Sequence, residues 1–259
     1  MSEMASKSEA TRAEVCAAAC SDAWRGAGEV LAHAVGTAAM VGARLARLTH
    51  NPDLVLSDGE AFFMSEPPPL GKSAAQGGVA ECWVPFRRIF DVLNTGRRHS
   101  MMGASQIDAY GNQNISLIGP DWRRPTRQLI GVRGAPGNTV SHRTDYWVAR
   151  HTTRVFVPRV DLVSGVGNDR AASFPGTSMR FHNLGLVITN LGVLDYDEAG
   201  RLRVRSLHPG VTAEEVVHNT GFTIDVSGAV QTRLPTAEEL ELIRTVIDPA
   251  GLRDREVRA

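Results

Sequence analysis

The stretch 101–142, MMGASQIDAYGNQNISLIGPDWRRPTRQLIGVRGAPGNTVSH, constrains this chain more than any other. It opens on two methionines and a glycine and passes Gln106, Asp108, Tyr110, Asn112 and Asn114 around a Tyr-Gly-Asn turn that Gly111 supplies. An apolar strand over 115–118 follows, then Arg123, Arg124 and Arg127, then a second apolar strand over 129–132. The run Arg133-Gly134-Ala135-Pro136-Gly137-Asn138 closes it, and reads as a bend whose bare N–H groups can face an oxyanion or phosphate. Taken singly, these are ordinary hairpins and loops. Their order gathers hydrogen-bond donors at one edge of a sheet.

The 259 residues and 42% hydrophobic content suit one α/β domain, an open and mainly parallel sheet with flanking helices. Basic and acidic residues balance at 28 each, so no global field argues for nucleic acid. No window has the roughly 18 consecutive apolar residues of a membrane span, and the polar start MSEMASKSEATRAE does not read as a secretory leader. A cytoplasmic protein is expected. Three cysteines read as reduced, and Cys16 and Cys20, one turn apart, suit helix packing better than zinc; no metal is expected.

Residues 1–11 read as a flexible arm, 12–251 as a single domain, and 252–259 as a charged, exposed tail. Small and apolar spacing predicts a helix over 12–27, a strand over 29–35, a helix over 38–48 and a parallel strand over 52–56. Ligands gather at the carboxyl ends of such strands, which puts Asp58 and Glu60 under suspicion. A turn aspartate and a solvated charge are the plainer reading of the two. Residues 64–80, with Pro67-Pro68-Pro69, predict a loop or lid. A helix over 84–93 follows, with Arg97, Arg98 and His99 complementing its end. Short strands are expected over 146–149, 155–157 and 160–163, a long loop over 165–183, a strand over 184–190, and a hairpin pairing 192–196 with 202–207. Thr212 with Glu215 and Thr236 with Glu239 announce two capped helices, over 213–220 and from 236 to 247.

The segment 52–56 (PDLVL), GASQIDAYGNQN from Gly103, NLGVLDYD from Asn190, SLHPGVTAEEVVHNTGF from Ser206 and LPTAEELELIRTVIDPAG from Leu234 stand in one order. In that order they resemble class I coenzyme A transferase β subunits, over about residues 12–251. LSDGEAFF at Leu56, GRRHSMMGASQIDAYGNQNIS at Gly96 and RPTRQLIGVRGAPGNTVSH at Arg124 bring the chain nearest the branch of cholesterol ring-cleaving hydrolases of actinobacteria. The resemblance implies the coenzyme A transferase-like fold, an α subunit as partner in an α2β2 heterotetramer, and a site at their junction. It implies a coenzyme A thioester carrying the last ring of a degraded steroid as substrate, opened by water, with no cofactor other than the coenzyme within the substrate.

Transferase β subunits carry a nucleophilic glutamate in a Glu-Ser-Gly context, two residues after the apolar strand. This chain lacks the triplet; an ungapped match puts Gly59 there and Glu60 one place later. Arg133 is the candidate for stabilising the anion formed on cleavage, with Gly134, Gly137 and Asn138 beside it. Arg124 and Arg127 are candidates for a carboxylate or the coenzyme phosphates, against a solvated basic loop. His142 is a candidate proton relay, against a histidine bonded to a loop carbonyl. Gln106, Asp108, Asn112 and Asn114 are expected to order the site, and Glu60 stays a candidate catalytic carboxylate. Two other readings stand beside ring opening: an ordinary transferase β subunit, and a non-catalytic ligand-sensing relative.

Overall fold

A computed structural model describes residues 10–257 except 60 and 86. The expected arm lies almost wholly outside the described residues, and the described chain begins in earnest at Thr11. Thr11 accepts from the Glu14 amide and Glu14 reaches back to Thr11, which starts α1 (Arg12–Asp22). Strand β1 (Leu31–Ala34), α2 (Thr37–Thr49) and β2 (Leu56–Ser57) come next. Then follow β3 (Phe62–Glu66), β4 (Val79–Trp83), α3 (Arg88–Asn94) and β5 (Arg98–Met102). The central stretch forms β6 (Gln106–Ile107), β7 (Gln113–Asn114), β8 (Leu117–Ile118), β9 (Arg127–Gln128) and α4 (Ala135–Ser141). The remainder forms β10 (Arg143–Val148), α5 (Asn168–Ser173), β11 (Asn183–Thr189), β12 (Gly192–Tyr196), β13 (Leu202–Leu207), α6 (Ala213–His218), β14 (Val230–Gln231), α7 (Ala237–Glu241) and α8 (Arg253–Glu256). A π-helical turn, Leu242–Ile247, extends α7.

The main sheet runs β1-β5-β10-β11-β12-β13-β14. Its first four strands are parallel, β11, β12 and β13 are antiparallel as the predicted hairpin requires, and β14 is parallel to β13. Against one face pack α1 and α2, through Cys16, Cys20, Trp24, Ala39, Met101 and Trp147. A Cβ on Gly42 of α2 would lie 2.6 Å from Cys20 Cβ, so the two helices cross where only glycine fits. The other face is covered by the central stretch through Ile107, Ala135, Tyr146, Val148 and Phe156. Both helical cysteines are free and buried, as expected; Cys16 Sγ lies 3.6 Å from His208 Nε2, a neighbour its sequence position hid.

Several expectations are corrected. The parallel strand over 52–56 shrinks to a single bridge, Val55 to Leu31, before Leu56 and Ser57 turn away to pair with β3. The loop over 64–80 is flanked by two strands of the antiparallel sheet β2-β3-β4. Because β4 is exposed along its whole length, it has no buried alternation to announce it. Residues 160–163, all among the described residues, are bends and irregular backbone in place of a strand, and α5 interrupts the loop over 165–183. The charged tail is anchored: Arg253 is buried, Val257 is buried, and Glu256 accepts from the Ala38 amide at 2.8 Å in the first turn of α2.

That anchor converges on Glu14, only 1% exposed. It takes two bonds of 2.8 Å from Arg244 and one of 3.0 Å from Arg253, joining α1 to both C-terminal helical segments. Burial pushes the Glu14 pKa up, but the hydrogen bonds from Arg244 and Thr11 and the two guanidinium charges outweigh it, and the net shift is below the ordinary 4.5. A depressed carboxyl pKa contributes stability above the unfolded value that is lost as pH falls through the folded one. The Glu14 contribution, read as the stability difference between wild type and Glu14→Ala, should therefore hold steady from neutral pH down to about 5 and shrink below that. Denaturant titration of Glu14→Ala should show a loss of about 3 kcal/mol, the cost of stranding buried guanidinium charge.

Candidate active site

Strand β1, the turn after β2, α3, β5 and the lead into α4 enclose a cleft of 450 Å³. Its walls are largely apolar, with Phe62, Phe63, Val84, Ile89 and Phe90, and its polar groups are His33, Ser57, Arg98 and Arg133. Gly59 and Gly134 complete it. A cavity lined by hydrocarbon with a few converging donors suits an apolar substrate carrying one or two anionic or carbonyl groups.

Arg133 is brought into this cleft in an unusual way. Its φ is +49°, the one positive φ of a non-glycine among the described residues, a conformation costing on the order of 1 kcal/mol. Gly134, the N-cap of α4, lies beside it. The expected bend is corrected at this point: 135–141 winds into helix, since Pro136 suits a first turn. The Ala135 amide donates to Val132 O at 3.0 Å and that of Asn138 to Gly134 O at 2.9 Å, so those two N–H groups are not bare. Asn138 is buried, with its Nδ2 against Met102 Sδ and its Oδ1 without a partner among the described residues. Gly137 packs against Leu93, where an added Cβ would come within 3.1 Å.

The Asp58 carboxylate is taken by the turn itself, accepting from the amides of Ala61 at 2.9 Å and Phe62 at 3.0 Å. Gly59 lines the cleft at φ +86°, and a Cβ added to it would meet no described atom within 4 Å. Glu60 lies outside the described residues. Arg124 and Arg127 are exposed on the loop around β9 and do not line this cleft.

Gln106, Asp108, Asn112 and Asn114 are buried and mutually bound. Asp108 Oδ1 accepts from the amides of Tyr110 and Asn112, at 3.0 and 3.1 Å, closing the turn at Gly111. Asn112 ties that turn to Asp169 and Gly167. Asn114 donates to Gln106 Oε1 at 2.7 Å, and Gln106 in turn holds Asp161. These side chains are spent on one another and on the neighbouring turns, and none of them lines the cleft.

Two residues of the cleft are not legible in the sequence. Arg98, expected with His99 to cap a helix, instead opens the buried strand β5. His33 sits in β1, where the only signal is a histidine inside an apolar strand. Burial, with Arg98 and His142 nearby, pulls the His33 pKa down to about 4. His142 is likewise displaced to about 4, by burial first and then by Arg98 and His99, against the pull of its bond to Arg143 O. The expectation that His142 titrates near neutrality is thus corrected: at pH 7 its ring is neutral, with Nδ1–H donating to that carbonyl and Nε2 unpartnered among the described residues.

The model for the coenzyme A transferase family matches residues 27–219, and the chain belongs to that family. It is 53% identical over 251 residues to the cholesterol ring-cleaving hydrolase IpdB subunit of Rhodococcus jostii, covering 96% of this chain and 97% of that one. It is 34% identical over 219 residues to one subunit of the 3-oxoadipate CoA-transferase of Pseudomonas knackmussii, covering 79% and 81%. The crystal structure of Rhodococcus jostii IpdAB superposes with a TM-score of 0.92 at 52% identity, over 97% of this chain and 100% of that one.

The depressed histidine values are open to a direct check. In an NMR titration, the His142 and His33 ring resonances should stay at their neutral-imidazole positions from pH 8 to about 5.5 and move only near pH 4. Midpoints near 6.5 would show that both rings are solvated instead.

Proposed function

We propose that this chain is the β subunit of a heteromeric hydrolase that opens the last carbocyclic ring of a steroid-derived coenzyme A thioester. The reading is supported by one juxtaposition above the others: where transferase β subunits carry their nucleophilic glutamate, Gly59 lines the cleft without a side chain, while Arg133 lines the same cleft. Covalent exchange needs the carboxylate; a hydrolytic ring opening needs a cation beside a growing oxyanion. The 53% identity to a cholesterol ring-cleaving hydrolase subunit agrees with it.

In the proposed reaction, water oxygen bonds to the ring ketone carbon and a general base takes the proton, leaving an alkoxide. The bond from that carbon to its neighbour then breaks. The electron pair is delocalised onto the adjacent carbonyl as an enolate while the former ketone becomes a carboxylic acid on the same opened chain. The acid then loses its proton to become a carboxylate, and the enolate carbon takes up one proton, so that one water is added in all. Arg133 is assigned to the oxygen on which negative charge grows, with Gly134, Gly137 and Asn138 fixing its approach. The neutral His33 is a weak base at pH 7, so the main base is assigned to the α subunit. Phe62, Trp83, Phe90 and Val132, exposed at or near the rim of the cleft, give that subunit an apolar surface to cover. An α2β2 assembly, a cytoplasmic location and no cofactor beyond the substrate's coenzyme belong to the same reading.

Arg133→Ala in the assembled enzyme should lower turnover on the order of 10² or more, with assembly and melting temperature little changed. Hydroxylamine added during turnover should leave activity intact in wild type and in Glu60→Ala alike. Trapping of an acyl group on Glu60 would instead make the chain a transferase subunit.

A further inference from the structure

A second cavity, of 600 Å³, opens at the amino ends of β5, β10 and β11, and Arg98 lines both this cavity and the cleft. Four arginines and three histidines line it, and no aspartate or glutamate does among the described residues. Two of the arginines are already neutralised: Arg25 pairs with Asp22 at 2.8 Å and Arg143 with Asp145 at 3.2 Å. Arg98 and Arg180 have no acidic partner among the described residues.

Arg98 is the decisive group, being only 6% exposed with its Nε left without a hydrogen-bond partner among the described residues. Burial pulls its pKa down to about 10, so it remains a cation at pH 7. A buried cation without a counter-ion is costly, and that cost is offset when an anion occupies the cavity. His142, also buried, leaves Nε2 unpartnered in the same lining. As an acceptor it can take a hydroxyl of the ligand or a protonated phosphate oxygen.

We propose that this basic cavity is a binding site for a phosphate ester or diphosphate, with Arg98 as its inner contact and Arg180 at its rim. The charge count favours phosphate over carboxylate: two unneutralised guanidinium groups match a dianion, whereas a carboxylate leaves one positive charge uncompensated. The volume also exceeds that of a bare ion and accommodates an organic portion. This inference goes beyond the ring-opening reading, since it is tested without turnover and stands whichever reaction the cleft performs.

The experiment uses the assembled α/β complex and three probes: inorganic pyrophosphate, adenosine 3′,5′-bisphosphate and coenzyme A. Calorimetry should show binding of at least one probe to wild type, and thermal melts should show stabilisation by it. Arg98→Met should weaken binding about tenfold or more, yet melt no lower than wild type without ligand, because an uncompensated buried charge has been removed. Arg180→Ala, exposed and safe for folding, should also weaken it. Preference for the bisphosphate and coenzyme A over pyrophosphate identifies the coenzyme as the source; the reverse preference identifies a free phosphorylated compound. No binding of any probe to wild type at millimolar concentration overturns the proposal, and so does undiminished affinity in both variants.

Discussion

The arrangement of this subunit depends on one buried carboxylate, Asp145. It is hydrogen-bonded by His99 on β5, a guanidinium from Arg143 on its own strand β10, and the Leu186 amide of β11. Burial alone would raise its pKa, but His99 and Arg143 hold it below the usual carboxylate range. Three parallel strands are thereby pinned at their amino ends. Gly185 is part of the arrangement, because a Cβ there would collide with both Asp145 Oδ1 and Arg143 Nε. Trp24 closes the other side, its ring 5.5 Å from that of His99.

With those strand ends fixed, the side chains of alternate residues are fixed too. His99 faces α1 and Asp145, so Arg98, one residue earlier, is directed to the opposite side, where no described carboxylate meets it. The anchored Asp145 also holds Arg143, and with it the carbonyl that accepts from His142 Nδ1–H at 3.0 Å. The network satisfies His99 and Arg143 but not Arg98, and so leaves a shortage of negative charge around Arg98, which lines both the cleft and the basic cavity. That shortage is what both the cleft and the basic cavity present to a ligand.

Sequence patterns reach some of this and miss the rest for identifiable reasons. Thr212, Thr236 and the hairpin at Gly200 are local signals, so those helix starts and the β12-β13 pairing follow from neighbours in the chain. Strands β3 and β4 are held by hydrogen bonds to each other and to β2 with little burial, and so leave no hydrophobic pattern. Arg98 and His99 look like a basic helix end because the partner that separates their roles, Asp145, lies 46 residues beyond His99. The C-terminal charges read as solvated because Glu14, which binds Arg253, lies 239 residues earlier. Charge is legible locally; its compensation is not.

The same distinction bears on how a transferase scaffold changes reaction. On the proposed reading, Gly59 stands where a nucleophilic glutamate would be, and the described lining of the cleft holds Arg98 and Arg133 with no aspartate or glutamate beside them. Such cations are poor at activating a carboxylate for exchange, which they would bind and quiet, but well suited to an oxyanion that appears only as a bond breaks. The left-handed backbone at Arg133 fits this account. Strain of that kind persists only where the surrounding structure over-determines it, and Gly134 with the first turn of α4 supplies that constraint. Position, more than the mere presence of an arginine, is therefore what the fold maintains there.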